Sequence, residues 1–99
     1  QRQMTRHLLS NDAADDLAQL VDFLLAEHPE DAIATVDLVV DALEILNDHP
    51  LIGRPVEQGL RELVISRGKT GYLALYDYDE ATDLVIVLAI RHQRERGYH

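Results

Sequence analysis

The chain has 99 residues, and its 18 acidic and 9 basic residues give a net charge of −9. This length suffices for one hydrophobic core but not for two, so we expect residues 1–99 to form a single domain. The chain contains no cysteine, which excludes disulfides and thiolate chemistry, and its longest apolar run, seven residues, is far below the roughly 20 that a membrane span needs. We therefore expect a cytoplasmic protein without a cofactor, in which Met4 is the natural initiator and Gln1–Gln3 are additional.

The acidic excess lies entirely in the first half of the chain. Residues 1–50 contain eleven acidic residues and two arginines, whereas residues 51–99 contain seven acidic and seven basic residues. An acidic protein repels polyanions at long range. Sequence-independent binding to nucleic acid is therefore disfavoured unless the basic residues of the second half form a local patch.

The first half of the chain predicts a short strand followed by two helices. The segment Thr5–Ser10 is expected to be the strand, and Asn11 and Asp12 offer N-cap side chains for a first helix that starts near Asp12. Pro29 ends this helix and suits the first turn of a second one, which stops before Pro50. Because the link between them is so short, the two helices should form an antiparallel hairpin.

Each predicted helix carries one apolar stripe at three- and four-residue spacing, while its acidic residues lie largely elsewhere. The stripe of the first helix is formed by Leu17, Leu20, Val21, Leu24 and Leu25. The stripe of the second helix is formed by Ala32, Val36, Val39, Val40, Leu43 and Leu46. Both stripes need an apolar surface to pack against.

The second half predicts an antiparallel meander of three strands. Arg61–Arg67 and Tyr72–Tyr78 alternate in polarity and flank a four-residue turn at Gly68–Gly71. The last strand, Leu84–Ile90, is apolar throughout, which is typical of a strand covered on both faces. Because the helices precede the strands without alternation, we predict an α+β fold of order β-α-α-β-β-β, with the helical hairpin on one face of a small antiparallel sheet of three or four strands.

The two faces of the middle strand differ in residue type. We expect the leucines Leu73 and Leu75 to face the helices, and the tyrosines of the alternate row to cover the second face with their hydroxyls in water. Ile86→Asp or Leu88→Asp in the last strand should then abolish folding, since each large apolar side chain contributes roughly 1.5–3 kcal/mol when buried.

A basic segment follows the last strand without a break, from Arg91 to Arg96. Its residue types suit binding of a charged ligand and equally suit ordinary solvation of a strand end. For Arg54 and Arg61 the alternative to ligand binding is an ion pair that ties a loop or a sheet edge to a carboxylate. The five histidines show no metal-ligand spacing, so no metal site is expected.

Taken together, the motifs resemble those of a known family. They are H-P-E-D-A at His28–Ala32, L-x-x-x-P-x-x-G-R at Leu46–Arg54, L-R-E-L at Leu60–Leu63, G-Y-x-x-x-Y at Gly71–Tyr76 and I-R-H-Q-R at Ile90–Arg94. In this order and spacing, from about Leu8 to Tyr98, they resemble the RelE/ParE superfamily of toxins from bacterial type II toxin–antitoxin modules. The resemblance implies that a cognate antitoxin holds the protein inactive in a heterodimer or heterotetramer.

The resemblance implies one of two activities. RelE-like members are ribosome-dependent endoribonucleases that cut messenger RNA without a metal. They use Arg and Lys to hold phosphate and a C-terminal Tyr or His for proton transfer. In that case Arg94, Arg96 and Tyr98 would be the catalytic residues here. ParE-like members inhibit DNA gyrase and lack this catalytic set.

Two of the RelE-like phosphate positions are not basic in this chain. Leu73 stands where the G-Y-R-x-x-Y pattern has arginine, and the strand that usually presents lysines has the sequence Leu63-Val64-Ile65-Ser66. We therefore favour a ParE-like toxin without enzymatic activity. Its residues for binding a target or partner would be Arg54, Arg61, Arg91, His92 and Arg94. A third alternative is a non-toxic family member that acts as a binding or regulatory module.

Overall fold

A computed structural model describes residues 6–67 and 70–92. The strands are β1 (Arg6–Leu9), β2 (Arg54–Pro55), β3 (Arg61–Arg67), β4 (Thr70–Asp79) and β5 (Leu84–His92), and the helices are α1 (Asn11–Glu27) and α2 (Pro29–Asp48). A single 3-10 turn, Glu57–Gly59, lies between β2 and β3. The predicted α+β order and the helical hairpin are confirmed. None of the described helices is both long and apolar enough to cross a membrane.

The sheet has five strands in the order β1-β5-β4-β3-β2. The prediction of three or four strands was too low, because Arg54 and Pro55, assigned to a loop, pair with Glu62 and Arg61 at the edge of the sheet. The prediction of a purely antiparallel sheet was also wrong, since β1 pairs with β5 in parallel. The direction in which a four-residue strand pairs is set by the whole chain path, which its own side-chain pattern does not encode.

The two helices start and end as the sequence predicts, with one change at the first cap. Ser10, not Asn11 or Asp12, is the N-cap of α1, and its Oγ accepts a hydrogen bond from Ala13 N at 3.0 Å. The same hydroxyl lies 3.3 Å from the carbonyl oxygen of Leu88 and donates to it, which joins the start of α1 to β5. A serine that serves both helix and sheet is favoured over neighbours that serve only the helix.

The buried rows of the helices are narrower than predicted. In α1, Leu25 is 58% exposed, and in α2, Val40 is 41% exposed. The buried row of α2 also includes a polar residue, Thr35, and consists of Ala32, Thr35, Val39, Leu43 and Leu46. These positions keep the three- and four-residue spacing of one helix face, and Val40 falls beside that row.

The two faces of β4 are the reverse of the prediction. Tyr72, Ala74 and Tyr76 are buried under the helices, while Leu73 and Leu75 lie half-buried on the outer face of the sheet. The hydroxyl of Tyr76 is satisfied inside the protein, because it accepts from Gly53 N at 2.9 Å and donates to Pro50 O at 2.8 Å. With both hydrogen-bond partners supplied, burying a tyrosine costs little, and its ring fills the core.

Gly53 lies directly against this tyrosine. A Cβ atom at Gly53 would lie 2.7 Å from ring and hydroxyl atoms of Tyr76 and 2.9 Å from the carbonyl oxygen of Glu62. No side chain fits there, so glycine at this position is required by the close approach of the loop to the sheet.

In the centre strand β5, the row of residues that faces the core shifts by one position along the strand. Val85 and Val87 are fully buried, but a register shift leaves Leu75 opposite Ala89 and Tyr76 opposite Val87. This irregularity returns Ile90 to the core side, and Ala89 and Ile90 are both buried. Ile86 and Leu88 are only half-buried, so β5 is not covered on both faces over its whole length. The decisive positions for folding are Val85 and Val87 instead.

Candidate functional site

A cavity of about 460 Å³ opens between α1 and the end of β5. It forms because β1 pairs with β5 only as far as Val87, so that α1 covers the remaining part of β5. Its lining residues come from α1 (Asp16, Gln19, Leu20, Phe23), β4 (Tyr72) and β5 (Ile90, Arg91, His92). The cavity combines apolar walls with a few polar groups, which is typical of a binding site.

Asp16 is the polar centre of this cavity. Its Oδ2 accepts a hydrogen bond from the backbone N–H of Ile90 at 2.9 Å and forms an ion pair with the guanidinium group of Arg91. Both side chains are largely shielded from water, with 14% of Asp16 and 25% of Arg91 exposed. The carboxylate thus holds both the backbone and the side chain at the end of β5.

Sequence reasoning missed this contact of Asp16. The signal that was present is its position. Asp16 lies three residues after the buried Ala13 and four before Leu20, at the border of the apolar stripe. An acidic side chain at that border needs a partner from the sheet, and Arg91 is that partner.

Aromatic side chains form the apolar part of the cavity. Tyr72 and His92 are paired across β4 and β5, and their rings meet edge to face with centroids 5.3 Å apart. Burial raises the pKa of the Tyr72 hydroxyl above its ordinary value, so its neutral form predominates at physiological pH. Phe23 on α1 is a large apolar side chain left 53% exposed at the cavity. Together with Leu20 and Ile90, these rings give the cavity its apolar surface.

The structure separates the predicted binding residues into two groups. Arg91 and His92 lie at the cavity, whereas Arg54 and Arg61 belong to β2 and β3 at the opposite edge of the sheet. Arg54 donates through Nε and Nη2 to Oε1 of the buried Glu62. The guanidinium group of Arg61 donates to the carbonyl oxygens of Leu51 at 3.1 Å and Gly53 at 2.7 Å. These contacts hold the loop before β3, and a role of either arginine in target binding stays a prediction.

The other predicted site residues, Arg94, Arg96 and Tyr98, lie outside the described residues. The strand that leads to them ends at His92, beside the cavity. Their assignment to catalysis or to target binding is therefore still a prediction.

In the part of the chain that the structure describes, one group of side chains has the arrangement of potential metal ligands. It consists of His28, Glu30 and Asp31, whose ligand atoms lie within 4.8 Å of one another. All three are exposed, and both acids occupy the first turn of α2, where the helix dipole favours negative charge. The dipole explains this cluster without an ion.

The outer face of the sheet carries a row of apolar side chains. By strand register and alternation, Leu8, Ile86, Leu75, Leu73 and Val64 all point away from the helices. Leu8 is 55% exposed and Val64 is 47% exposed. We refer to these five residues as the outer apolar face. It includes Leu73, which stands where the G-Y-R-x-x-Y pattern has arginine, and Val64, which belongs to the segment Leu63–Ser66 that is expected to present lysines in a RelE-like enzyme.

The chain is similar to known proteins over nearly its full length. Residues 8–97 match the family described as the ParE toxin of the type II toxin–antitoxin system parDE. Toxin RelE3 of Caulobacter vibrioides is 37% identical over 84 residues, which cover 85% of this chain and 89% of that toxin.

Two solved structures have the same fold. The chromosomal ParDE toxin–antitoxin system from P. aeruginosa superposes with a TM-score of 0.73 at 24% identity, and the match covers 91% of this chain and 96% of the other. The toxin–antitoxin complex RelBE2 from Mycobacterium tuberculosis gives a TM-score of 0.63 at 24% identity and covers 91% of this chain and 99% of the other. This chain therefore shares its overall fold with both.

Proposed function

Since the chain belongs to the RelE/ParE superfamily of type II toxin–antitoxin toxins, we propose that it is a ParE-like toxin that stops growth by binding DNA gyrase. On this proposal the protein acts by occupying a protein surface and catalyses no reaction itself. Gyrase as the target would place it in the cytoplasm.

The observation that carries the proposal is the outer apolar face. A ribonuclease of the RelE-like kind must hold a phosphate group and stabilise the negative charge that develops during cleavage, which requires cationic side chains beside the scissile bond. Here the positions that would supply them are Leu73 and the strand segment Leu63–Ser66, and neither contains a charged residue. The lack of cationic side chains at these positions disfavours RNA cleavage, and a protein target is then favoured over a polyanion.

The cavity between α1 and β5 supports the same conclusion. Its walls of Leu20, Phe23 and Ile90 suit an apolar anchor from a protein target, and Arg91 and His92 at its rim can recognise a polar group beside that anchor. We assign target binding to this cavity.

The partner that keeps the protein inactive is a cognate antitoxin, as expected for a type II toxin and supported by the two complexes that share the fold. We assign the antitoxin to the outer apolar face, where an amphipathic segment could bury Leu8 and Val64 against its own apolar side chains. We propose that the two proteins form a heterodimer or heterotetramer.

One observation favours a second function. The relative that is 37% identical is a toxin named RelE3, and the segment beyond the described residues contains Arg94, Arg96 and Tyr98 in RelE-like positions. The alternative is therefore a ribosome-dependent endoribonuclease that uses these three residues. A non-toxic binding module is the remaining possibility.

Expression in a host without the antitoxin distinguishes the three functions. A gyrase-binding toxin should arrest growth, induce a DNA-damage reporter and leave messenger RNA intact. Messenger RNA cut on ribosomes, with the cuts abolished by Arg94→Ala or Tyr98→Phe, would establish the endoribonuclease instead. Undisturbed growth at high protein levels would leave only the non-toxic module.

A further inference from the structure

On the side of β5 that pairs with β1, a side chain hydrogen-bonds to the last residues of the strand in place of a neighbouring strand. The last pair between β1 and β5 is Leu9 with Val87, and in the described part of the chain no strand continues that line. Asp16 reaches this edge from α1 and accepts the backbone N–H of Ile90 at 2.9 Å. An exposed strand edge is commonly protected in this way by a charged side chain.

The negative charge of Asp16 has a second role that this backbone contact does not explain. The oxygen of an asparagine would also accept the N–H of Ile90, since a neutral amide oxygen is a good acceptor. The helix dipole does not explain the charge either. It favours an acidic residue in the first turn of α1, and Asp16 lies beyond that turn. The interaction that needs a full negative charge is the ion pair with Arg91.

We propose that Asp16 is a positioning residue: it fixes the guanidinium group of Arg91 at the rim of the cavity in the orientation that target binding requires. Arg91 has a long side chain with many rotamers, and ordering it before the target arrives lowers the entropic cost of binding. The inference rests on the proposed function of the cavity as the target site, but it does not require that the target be gyrase.

The position of Arg91 along the chain makes its orientation important. Arg91 and His92 are the last described residues, and the basic segment from Arg91 to Arg96 begins with them. Asp16 binds the backbone immediately before Arg91 and the side chain of Arg91 itself, so one carboxylate fixes both the path of the strand and the direction of its first basic group.

Asp16→Asn is the direct test, and Asp15→Asn is its matched control. Both changes remove one negative charge from neighbouring positions of α1, but Asp15 is exposed and lies outside the cavity lining. The full-length variants are induced without antitoxin, and the inducer concentration that halves the growth rate is measured. Thermal unfolding of the purified proteins, produced with the antitoxin and separated from it, gives the melting midpoint.

We expect Asp16→Asn to raise the half-effective inducer concentration about tenfold or more, while its melting midpoint stays within a few degrees of wild type. Asp15→Asn should match wild type in both measurements. In an Arg91→Gln background, adding Asp16→Asn should cause no further loss of toxicity, because a positioning residue acts through the residue that it positions. The proposal is wrong if Asp16→Asn is as toxic as wild type. It is also wrong if Asp16→Asn lowers toxicity as much in the Arg91→Gln background as it does alone.

A structural role alone predicts a different pattern. If the toxicity of Asp16→Asn falls only in proportion to its folded fraction, the proposal is wrong. Should that variant fail to fold, Arg91→Lys is the second test. Lysine keeps a positive charge opposite Asp16 but lacks the planar guanidinium group, so we expect a folded protein with reduced toxicity. Wild-type toxicity of Arg91→Lys overturns the proposal.

The failures of the two proposals can be told apart. Wild-type protein that arrests growth without inhibiting gyrase refutes gyrase as the target, and the comparison of Asp16→Asn with Asp15→Asn still decides the role of Asp16. Wild-type protein that never arrests growth refutes both.

Discussion

The hydroxyl group of Tyr76 offers a quantitative test of the core. Tyr76→Phe removes one oxygen that accepts from Gly53 N at 2.9 Å and donates to Pro50 O at 2.8 Å, and it keeps the ring in place. The contact with Gly53 is buried, so its N–H loses its partner without gaining water, which costs about 1–3 kcal/mol. The half-buried carbonyl of Pro50 can be rehydrated, and its loss adds little.

A destabilisation of about 2 kcal/mol lowers the melting midpoint of a domain of this size by roughly 8–16 °C. Thermal unfolding followed by circular dichroism measures this shift directly. Tyr78→Phe is the matched control, since its hydroxyl donates to Asp83 in a half-buried contact where water can replace it, and we expect a smaller shift. If Tyr76→Phe melts within about 2 °C of wild type, the buried position of this hydroxyl is wrong.

Three further predictions follow from the same contacts. Val87→Asp should abolish soluble folding, because Val87 is fully buried, whereas Leu8→Asp on the exposed outer face should still fold. The amount of each variant recovered in the soluble fraction tests this. Val64→Asp should weaken antitoxin binding at least about tenfold in calorimetric titration with an unchanged melting midpoint, and unaltered affinity would remove the antitoxin from that face. Burial raises the pKa of Tyr76 above 10.0, so the stability it contributes is complete below pH 10.0 and is lost as the pH rises through its folded-state pKa. Urea midpoints measured from pH 8 to 11 should therefore fall at the alkaline end, and they should fall less for Tyr76→Phe.

Local sequence signals predicted most of the secondary structure. Pro29 fixed the junction of the two helices, and the structure places it at the first position of α2. The apolar run from Leu84 identified the strand at the centre of the fold, and β5 indeed contacts both β1 and β4. These features depend on residues near one another in the chain, which is why they could be predicted.

The errors concern relations between distant residues. Alternation along β4 separates Tyr76 from Leu75, but both rows are apolar, and the row that faces the helices is decided by Gly53 and Pro50, more than twenty residues away. The irregular register at Leu88 and the parallel pairing of β1 likewise depend on how the finished sheet closes. The local sequence pattern does not determine the register of β5 or the direction in which β1 pairs.

The candidate site was predicted in part. Arg91 and His92 were selected from the abrupt change from apolar to basic residues, and both lie at the cavity. The same reasoning passed over Asp16, Phe23 and Tyr72, because a site built from a helix and two strands appears only when those elements are packed together. Arg54 and Arg61 lie away from the cavity, where their contacts hold the loop before β3, and their role in target binding stays a prediction.

Gyrase supercoiling in the presence of the purified toxin is the most direct test of the central claim, that this chain acts on a protein target. We predict that the toxin inhibits supercoiling of relaxed plasmid in a dose-dependent way, that equimolar antitoxin relieves the inhibition, and that the toxin leaves messenger RNA on translating ribosomes uncut. Full supercoiling at a large excess of toxin, together with cleavage of ribosome-bound messenger RNA, would contradict it.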